Sequence, residues 1–380
     1  MKRLVIAATI LAIVLPACKK ETPTCIHSWN EGLCSICGEE CQHSWNEGLC
    51  SICGKECQHS WDEGLCSICG EECQHSWDEG LCSICGEECQ HSGNEGVCSI
   101  CGDKCVKYDE ATNTYSAATM RDLRNWYSAV QKDYSTNLTI TRDIVYKDGE
   151  GEGFDWSSVR VEGLVEGNGY TIKGWRGKHF ILNLQNGGTV QNLNFEDANV
   201  SMGDNFLGAI IARVDAESRL TNCRVSGSLS TNSTEAGIVG YNEGYIANCV
   251  NEATIYANGY GVGGIVGVNY STGVIVACLN LSTSVSGGSN VGSIAGQNFG
   301  NIYGCLGVIS TNGEGAVKAT NVTGYDAPTA KTEGCVVVNS MAEVTAEHIA
   351  TMNEAIASLG HSSRWVAGEN GGDPTITSAE

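Results

Sequence analysis

The residues able to do chemistry are concentrated near the start of this 380-residue chain. Residues 25–104 hold five near-identical sixteen-residue units: CIHSWNEGLCSICGEE, CQHSWNEGLCSICGKE, CQHSWDEGLCSICGEE twice, and CQHSGNEGVCSICGDK. Each reads Cys-x-His, six residues, then Cys-x-x-Cys-Gly. The recurring set is Cys25, His27, Cys34 and Cys37; Cys41, His43, Cys50 and Cys53; Cys57, His59, Cys66 and Cys69; Cys73, His75, Cys82 and Cys85; and Cys89, His91, Cys98 and Cys101. Cys105 opens a sixth unit that then stops. Three thiolates and one imidazole are a donor set that suits tetrahedral Zn²⁺. Five of the eight histidines occupy these places, a periodicity that disulfides do not explain. Grouping is open, because His27, Cys34, Cys37 and Cys41 make an equally good set that would use Cys105 and leave Cys25 over. Disulfides are the competing reading for an exported chain, although three cysteines cannot all pair within one unit. Free thiols or a redox Cys-x-x-Cys are further alternatives. A filled four-ligand sphere has no place for water, so such zinc sites would be structural. The recurring Glu31, Glu47, Glu63, Glu79 and Glu95 read as solvated surface.

The Cys-x-x-Cys-Gly turn resembles the knuckle of zinc ribbons. Sixteen residues cannot bury a core, so metal and one Trp per unit (Trp29, Trp45, Trp61 and Trp77, with Gly93 in the fifth) must hold each knuckle. Residues 25–105 are expected to form a stalk, with metal sequestration as the sharper alternative.

Ahead of the repeats lies an address. Lys2 and Arg3 precede an apolar run from Leu4 to Leu15, which suits a signal-peptide h-region and is short for a membrane span. Leu15-Pro16-Ala17-Cys18 resembles a lipobox, although Pro16 is not the usual small residue. The resemblance implies a signal peptide over 1–17, lipidation of Cys18 and a tether over 18–24. The expected location is the cell envelope, on the outer membrane or cell surface, held by a lipid anchor.

After the repeats, 106–117 reads as a linker. Met120, Leu123, Trp126, Tyr127 and Val130 follow helical spacing and predict a helix over 118–132. Beyond it, short Val/Ile/Leu strands are broken by Gly and Asn. Gly237-Ile238-Val239-Gly240 precedes YIANC, Gly264-Ile265-Val266-Gly267 precedes VIVAC, and Ser293-Ile294-Ala295-Gly296 precedes IYGC. Cys223, Cys249, Cys278, Cys305 and Cys335 recur at 26- to 30-residue intervals, a solenoid signature. These segments resemble GLUG-motif repeats of bacterial surface proteins, and VEGNGYTIKG resembles the opening coil of pectin-lyase-like β-helices. The resemblance covers 118–340 and implies a right-handed parallel β-helix.

The expected fold class is therefore all-β: a right-handed parallel β-helix with short capping helices, preceded by Cys/His-rich metal-knuckle repeats. The coil cysteines read as a stack of buried small apolar side chains. Asn192, Asn194, Asn222 and Asn248 are candidates for a corner ladder. The pairs Ile238/Val239 and Ile265/Val266 are expected to alternate between interior and outer face. Residues 341–380 are expected to supply a helix, lined by Ile349, Met352, Ile356 and Leu359, and a strand around Trp365 that together cap the last coil.

Forty-four acidic against 22 basic residues give a net charge of -22, which argues against nucleic acid. It also argues against adsorption to anionic lipid without a covalent anchor. The regular coils carry few charged side chains, and Glu243 with Glu252 is the one weak carboxylate pair. His179 and His348 read as surface or cap residues. No nucleophile, metalloprotease or phosphate-loop motif is present. Tyr241, Tyr245, Tyr256, Tyr260, Tyr270 and Phe299 are candidates for a sugar-stacking strip. The sequence thus leads to the expectation of no enzyme, no catalytic residue and a display module for a glycan or host protein. A polysaccharide lyase or hydrolase, and a metal buffer, are the alternatives.

Overall fold

The computed structural model describes residues 107–146, 158–202, 207–231, 236–313, 315, 317–360, 364–368 and 374–377, with short stretches between 29 and 84. Two compact units are present, one within the N-terminal repeats and one containing the coils.

In the repeats, Trp29–Asn30, Trp45–Asn46, Trp61–Asp62 and Trp77–Asp78 pair with Leu33–Cys34, Leu49–Cys50, Leu65–Cys66 and Leu81–Cys82 respectively. The antiparallel register sets Trp45 opposite Cys50 and Trp61 opposite Cys66. Four units thus carry a miniature hairpin, and of the cysteines at its second strand Cys50, Cys66 and Cys82 are buried.

The second unit is a β-solenoid. Nine parallel three- or four-residue strands stack into a narrow sheet in the order Thr114–Ala117, Asn137–Ile140, Leu164–Glu166, Thr189–Gln191, Arg219–Thr221, Tyr245–Ala247, Val274–Val276, Asn301–Tyr303 and Lys331–Glu333. Tyr108–Asp109 adds antiparallel at the first edge. The stretch expected to be a linker, 106–117, therefore contributes the opening strands of the solenoid. Its Tyr115 packs against the interior core, which sequence periodicity over so few residues does not reveal. Nineteen further strands among the described residues form the broader wall, where Asn194–Met202, Arg224–Thr231 and Thr254–Gly263 follow one another from coil to coil.

Glycine shapes the turn within each GIVG-type segment. A Cβ on Gly208, Gly263 or Gly292 would fall 1.8, 2.1 or 2.0 Å from the carbonyl oxygen of Ile211, Val266 or Ala295, three residues ahead. The chain bends there, and strand alternation fails with it. Ile238, Val239, Ile265 and Val266 are all fully buried in one core, not divided between two faces. A bend between adjacent residues lets both side chains point inward.

The next corner is left-handed in six successive coils: Asn192, Asn222, Asn248, Ala277, Gly304 and Gly334 have φ between 47° and 64°. Asn and Gly are the residues that tolerate this region best. Leu193, Cys223, Cys249, Cys278, Cys305 and Cys335 each follow such a corner, and the first five are buried in the interior. Each Cys thiol donates to the carbonyl two residues back at 3.3–3.5 Å. The thiols replace Leu193 as apolar filler, and a short self-contained hydrogen bond satisfies each one. Burial pushes the Cys223, Cys249 and Cys305 thiols well above their usual pKa.

A second column, buried except at its acidic end, is built from side-chain amides. The Asn242 Nδ2 donates to Asn269 Oδ1 at 2.8 Å, Asn269 Nδ2 to Asn298 Oδ1 at 2.8 Å, and Asn298 Nδ2 to Asp326 Oδ1 at 2.9 Å. Three of its members, Asn242, Asn269 and Asn298, are 0% exposed.

The helix α1, Met120–Val130, matches the predicted spacing. Thr119 caps it by accepting from Asp122 N at 3.2 Å, and Met120, Leu123, Trp126 and Val130 enter the solenoid core. Trp126 stacks on Phe180 with centroids 5.8 Å apart. The helix α2, Ala346–Ser358, starts at a capping box in which Thr345 Oγ1 accepts from His348 N and His348 Nδ1 accepts from Thr345 N. It does not close the last coil as expected. Ile349, Met352, Ile356 and Trp365 pack on the outward residues Ala247, Val250, Val276, Leu279 and Leu306, so α2 lies along the flank of several coils. Those outward positions are apolar because the helix covers them.

Two outcomes test this account. Replacing Asn269 with Ala strands the Asn242 donor and leaves Asn298 Oδ1 with the Gly300 N–H as its remaining donor, and should lower stability by about 2 kcal/mol, read as a fall in the urea midpoint. In native protein, peptide mapping after a thiol reagent should find Cys335, the half-exposed end of its column, modified well before Cys223, Cys249, Cys278 and Cys305. Simultaneous modification of all five would contradict the sealed column.

Candidate functional site

One border of the narrow sheet gathers aromatic side chains from four successive coils. The strands Ala236–Asn242, Val266–Asn269, Ala295–Asn298 and Thr323–Asp326 are in parallel register, with Tyr241 opposite Val268, Val268 opposite Gln297, and Gln297 opposite Tyr325. Beside this row the buried amide column holds the backbone in place. On it, Tyr241 and Tyr270 stack at 5.4 Å between centroids with planes 16° apart, Tyr270 and Phe299 at 6.4 Å and 22°, and Phe299 and Tyr325 at 5.8 Å and 53°. Tyr270 and Tyr325 are exposed.

Of the six aromatics singled out from the sequence, Tyr241, Tyr270 and Phe299 come together. Tyr245 instead lies under Arg219, whose guanidinium carbon is 5.5 Å from the ring centroid, and packs toward α2. Burial pushes its hydroxyl well above the usual tyrosine pKa. Tyr256 and Tyr260 sit on Thr254–Gly263, a strand of the broader wall. Tyr325 completes the column and was missed, because its coil lacks a GIVG-type segment. The signal was present: Tyr325 immediately precedes Asp326, the acidic end of the Asn column.

Toward the first coils the column becomes polar. Register places Asn183 opposite Arg213 and Arg213 opposite Tyr241. Together with Arg160, Asp215 and Tyr270 they line a cleft of about 370 Å³. Arg213 Nε bonds Asp215 Oδ1 at 2.6 Å, and its Nη2 bonds Glu243 Oε2 at 2.9 Å. Burial opposes the Arg213 charge, but the two carboxylates outweigh it and hold the guanidinium pKa above its usual value. Asn183 Nδ2 reaches Asp215 Oδ2 at 3.2 Å and Gln185 Oε1 at 2.8 Å, while Asn183 Oδ1 is buried with no hydrogen-bond partner. The cleft thus presents one aromatic face beside fixed donors and acceptors, a combination suited to a neutral polar ligand with an apolar face.

The carboxylate pair read from the sequence is not a pair. Glu243 is held by Arg213, and Glu252 by Arg224, which grips it through two hydrogen bonds. Of the expected Asn corner ladder, Asn222 Nδ2 reaches Asn192 Oδ1 at 3.1 Å, whereas Asn194 joins another line by donating to Gly169 O at 2.8 Å. His179 is buried, not at the surface, and His348 serves the α2 cap.

Among the zinc-ligand candidates, the side chains of Cys50, Cys66, Cys82 and His75 are described. Cys82 Sγ accepts from Ile84 N at 3.4 Å, and His75 is exposed. The strand at Cys34 is described without its side chain. Cys25, His27, Cys37, Cys41, His43, Cys53, Cys57, His59, Cys69, Cys73, Cys85, Cys89, His91, Cys98, Cys101 and Cys105 lie outside the described residues, as do the lipidation candidate Cys18 and the whole signal segment. Among the described residues no helix is long and apolar enough to cross a membrane.

No family model matches the sequence, and no curated relative matches it. Among solved structures the chain is similar to the crystal structure of a putative immunoglobulin A1 protease from Bacteroides ovatus, at 19% identity and a TM-score of 0.50, over 72% of this chain and 95% of that one. The shared feature is the β-solenoid. This neighbour corrects the expectation that the chain is not an enzyme, since a solenoid of this build is found in a protein described as a protease. At 19% identity the likeness carries the fold and transfers no catalytic residue.

Proposed function

We infer that the solenoid is a GLUG-type binding module displayed from the cell envelope, and that the aromatic column with its adjoining cleft takes a carbohydrate. The observation that carries this reading is the junction at Tyr241, where stacked rings give way within one coil to Arg213, Asn183 and Asp215. A pyranose has an apolar C–H face and a rim of hydroxyls. Its face suits the free side of a tyrosine ring, and its rim suits a cluster of charged and amide groups. The coils fix these side chains through backbone ladders and the buried Asn column, so little ordering is left for binding to impose.

The lipobox resemblance supports export and attachment through Cys18. The Cys/His repeats support structural zinc in the stalk. An N–H bond onto the sulfur of Cys82 from two residues ahead is the kind of contact that stabilises a thiolate at a metal.

On an array of immobilised glycans the full chain should bind a subset of neutral saccharides, and Tyr270→Ala should weaken that binding about tenfold, worth about 1.4 kcal/mol. Equal binding by the variant would remove the aromatic column from the reading. Separately, protein purified without chelator or oxidant should carry zinc in the repeats, and chelation should release it with loss of the compact stalk. Metal-free protein with oxidised repeat cysteines would replace zinc by disulfides.

A further inference from the structure

The opposite border of the narrow sheet carries a second recess, of about 590 Å³, lined in part by Asn192, Asn222, Arg224, Asn248, Trp365 and Thr375. Among the described residues no carboxylate lines it, in a chain with twice as many acidic as basic residues. The amides there can be accounted for atom by atom. Asn192 is fully used: its Nδ2 donates to Glu166 Oε1 at 3.0 Å and its Oδ1 accepts from Asn222. The ladder then breaks. Asn222 Oδ1 has no partner, and the Asn248 amide, only 2% exposed, has none for its Oδ1 either. From Asn248 onward the corner passes to Ala277, Gly304 and Gly334, so no later side chain continues the ladder. A buried amide without a partner is costly and in native proteins usually has one, either within the fold or in a ligand.

The far wall is rigid. Trp365 Nε1 donates to Ala277 O at 2.9 Å, and its backbone is clamped by Asn353 in two bonds of 2.7 and 2.9 Å. Trp365, the three corner Asn residues and Arg224, which Glu252 holds, therefore line a common space, with the two unpartnered amide oxygens lying just beneath its surface.

We propose that this amide-lined recess is a second saccharide-binding site, separate from the aromatic column, in which ligand hydroxyls complete the interrupted Asn222–Asn248 ladder. Ligand chemistry follows from what is missing. Orphaned carbonyl oxygens need donors, which a carboxylate or phosphate cannot supply. An ammonium group or a metal ion would meet the Arg224 guanidinium, and the nearby carboxylates are already engaged, Glu252 by Arg224 and Glu166 by Asn192. A hydroxyl both donates and accepts, and a pyranose ring carries several at short intervals. Asn222 and Asn248 stand one coil apart, about 4.8 Å, close to the separation of two equatorial hydroxyls in a 1,3 relationship. With sites on both borders of one sheet, the solenoid could hold two segments of a polymer and gain avidity without new contacts.

The test uses the full chain carrying both Tyr241→Ala and Tyr270→Ala, which strips the two rings that line the first cleft. Isothermal titration with tetrasaccharides of glucose, mannose and N-acetylglucosamine should still detect binding to at least one. Adding Asn248→Ala should weaken that binding about tenfold with an unchanged thermal midpoint, because Ala277 already occupies the same corner in the next coil. Should Asn248→Ala not fold, Asn222→Gly is the replacement, since Gly304 and Gly334 hold that place in later coils. Loss of all binding in the Tyr241→Ala, Tyr270→Ala variant overturns the second site and leaves the first intact. Affinity unchanged within about twofold in the amide variant, or binding to immobilised peptides in place of the saccharides, also overturns it.

Discussion

Everything in the coiled unit depends on equivalent residues of successive coils lying directly over one another. Parallel strands a few residues wide have little core each. They are stable only because every coil supplies the hydrogen-bonding edge and the apolar floor for the next. That constraint accounts for the residue types. Where the chain bends inward, glycine is demanded because a carbonyl occupies the space a Cβ would need. Where it turns left-handed, Asn or Gly serves. Where a side chain must stack on its own copy, thiols and amides work, the first as small apolar filler and the second as self-complementary hydrogen-bonding units. The Asn242–Asn269–Asn298–Asp326 column is the clearest case, since each buried amide passes a hydrogen bond to the next until the exposed Asp326 ends the line.

The same stacking generates the surface. Positions flanking a ladder residue lie close together from coil to coil, so Tyr241 and Tyr325, which precede the amide column, and Tyr270 and Phe299, which follow it, meet in one line of rings. Variation between coils then writes specificity onto a regular scaffold. The register position that is Tyr241 in one coil is Arg213 and Asn183 in the coils before it, and the change of chemistry along that line lies in the cleft. The corner row behaves likewise, passing from Asn to Ala and Gly at the point where Trp365 covers the flank.

The ends and flanks of a solenoid are where its regularity must be broken. At the first coil α1 inserts Leu123 and Trp126 into the core, so the opening is filled by a helix whose spacing is ordinary. Farther along, α2 lies on a side wall whose outward residues, Val276 and Leu306 among them, would otherwise expose apolar surface. The β-solenoid is shared with a protein described as a protease, so architecture by itself does not separate binding from catalysis here. The chemistry of the two borders has to do that.

What the sequence determined by itself is the set of features that repeat. Intervals of 26 to 30 residues between cysteines and the GIVG-type segments identify stacked coils, because a periodic fold stamps its period on the chain. The two helices were legible for a similar reason, their apolar residues following the 3.6-residue turn. Tertiary structure alone decided what depends on two dissimilar stretches meeting. It made strands of 106–117, turned Ile238 and Val239 both inward, sent α2 to the flank, separated Glu243 from Glu252 by giving each its own arginine, and joined Tyr325 to the aromatic column. Local pattern records which way a residue faces along its own strand. It does not record which coil, helix or ion lies beside it once distant segments are brought together.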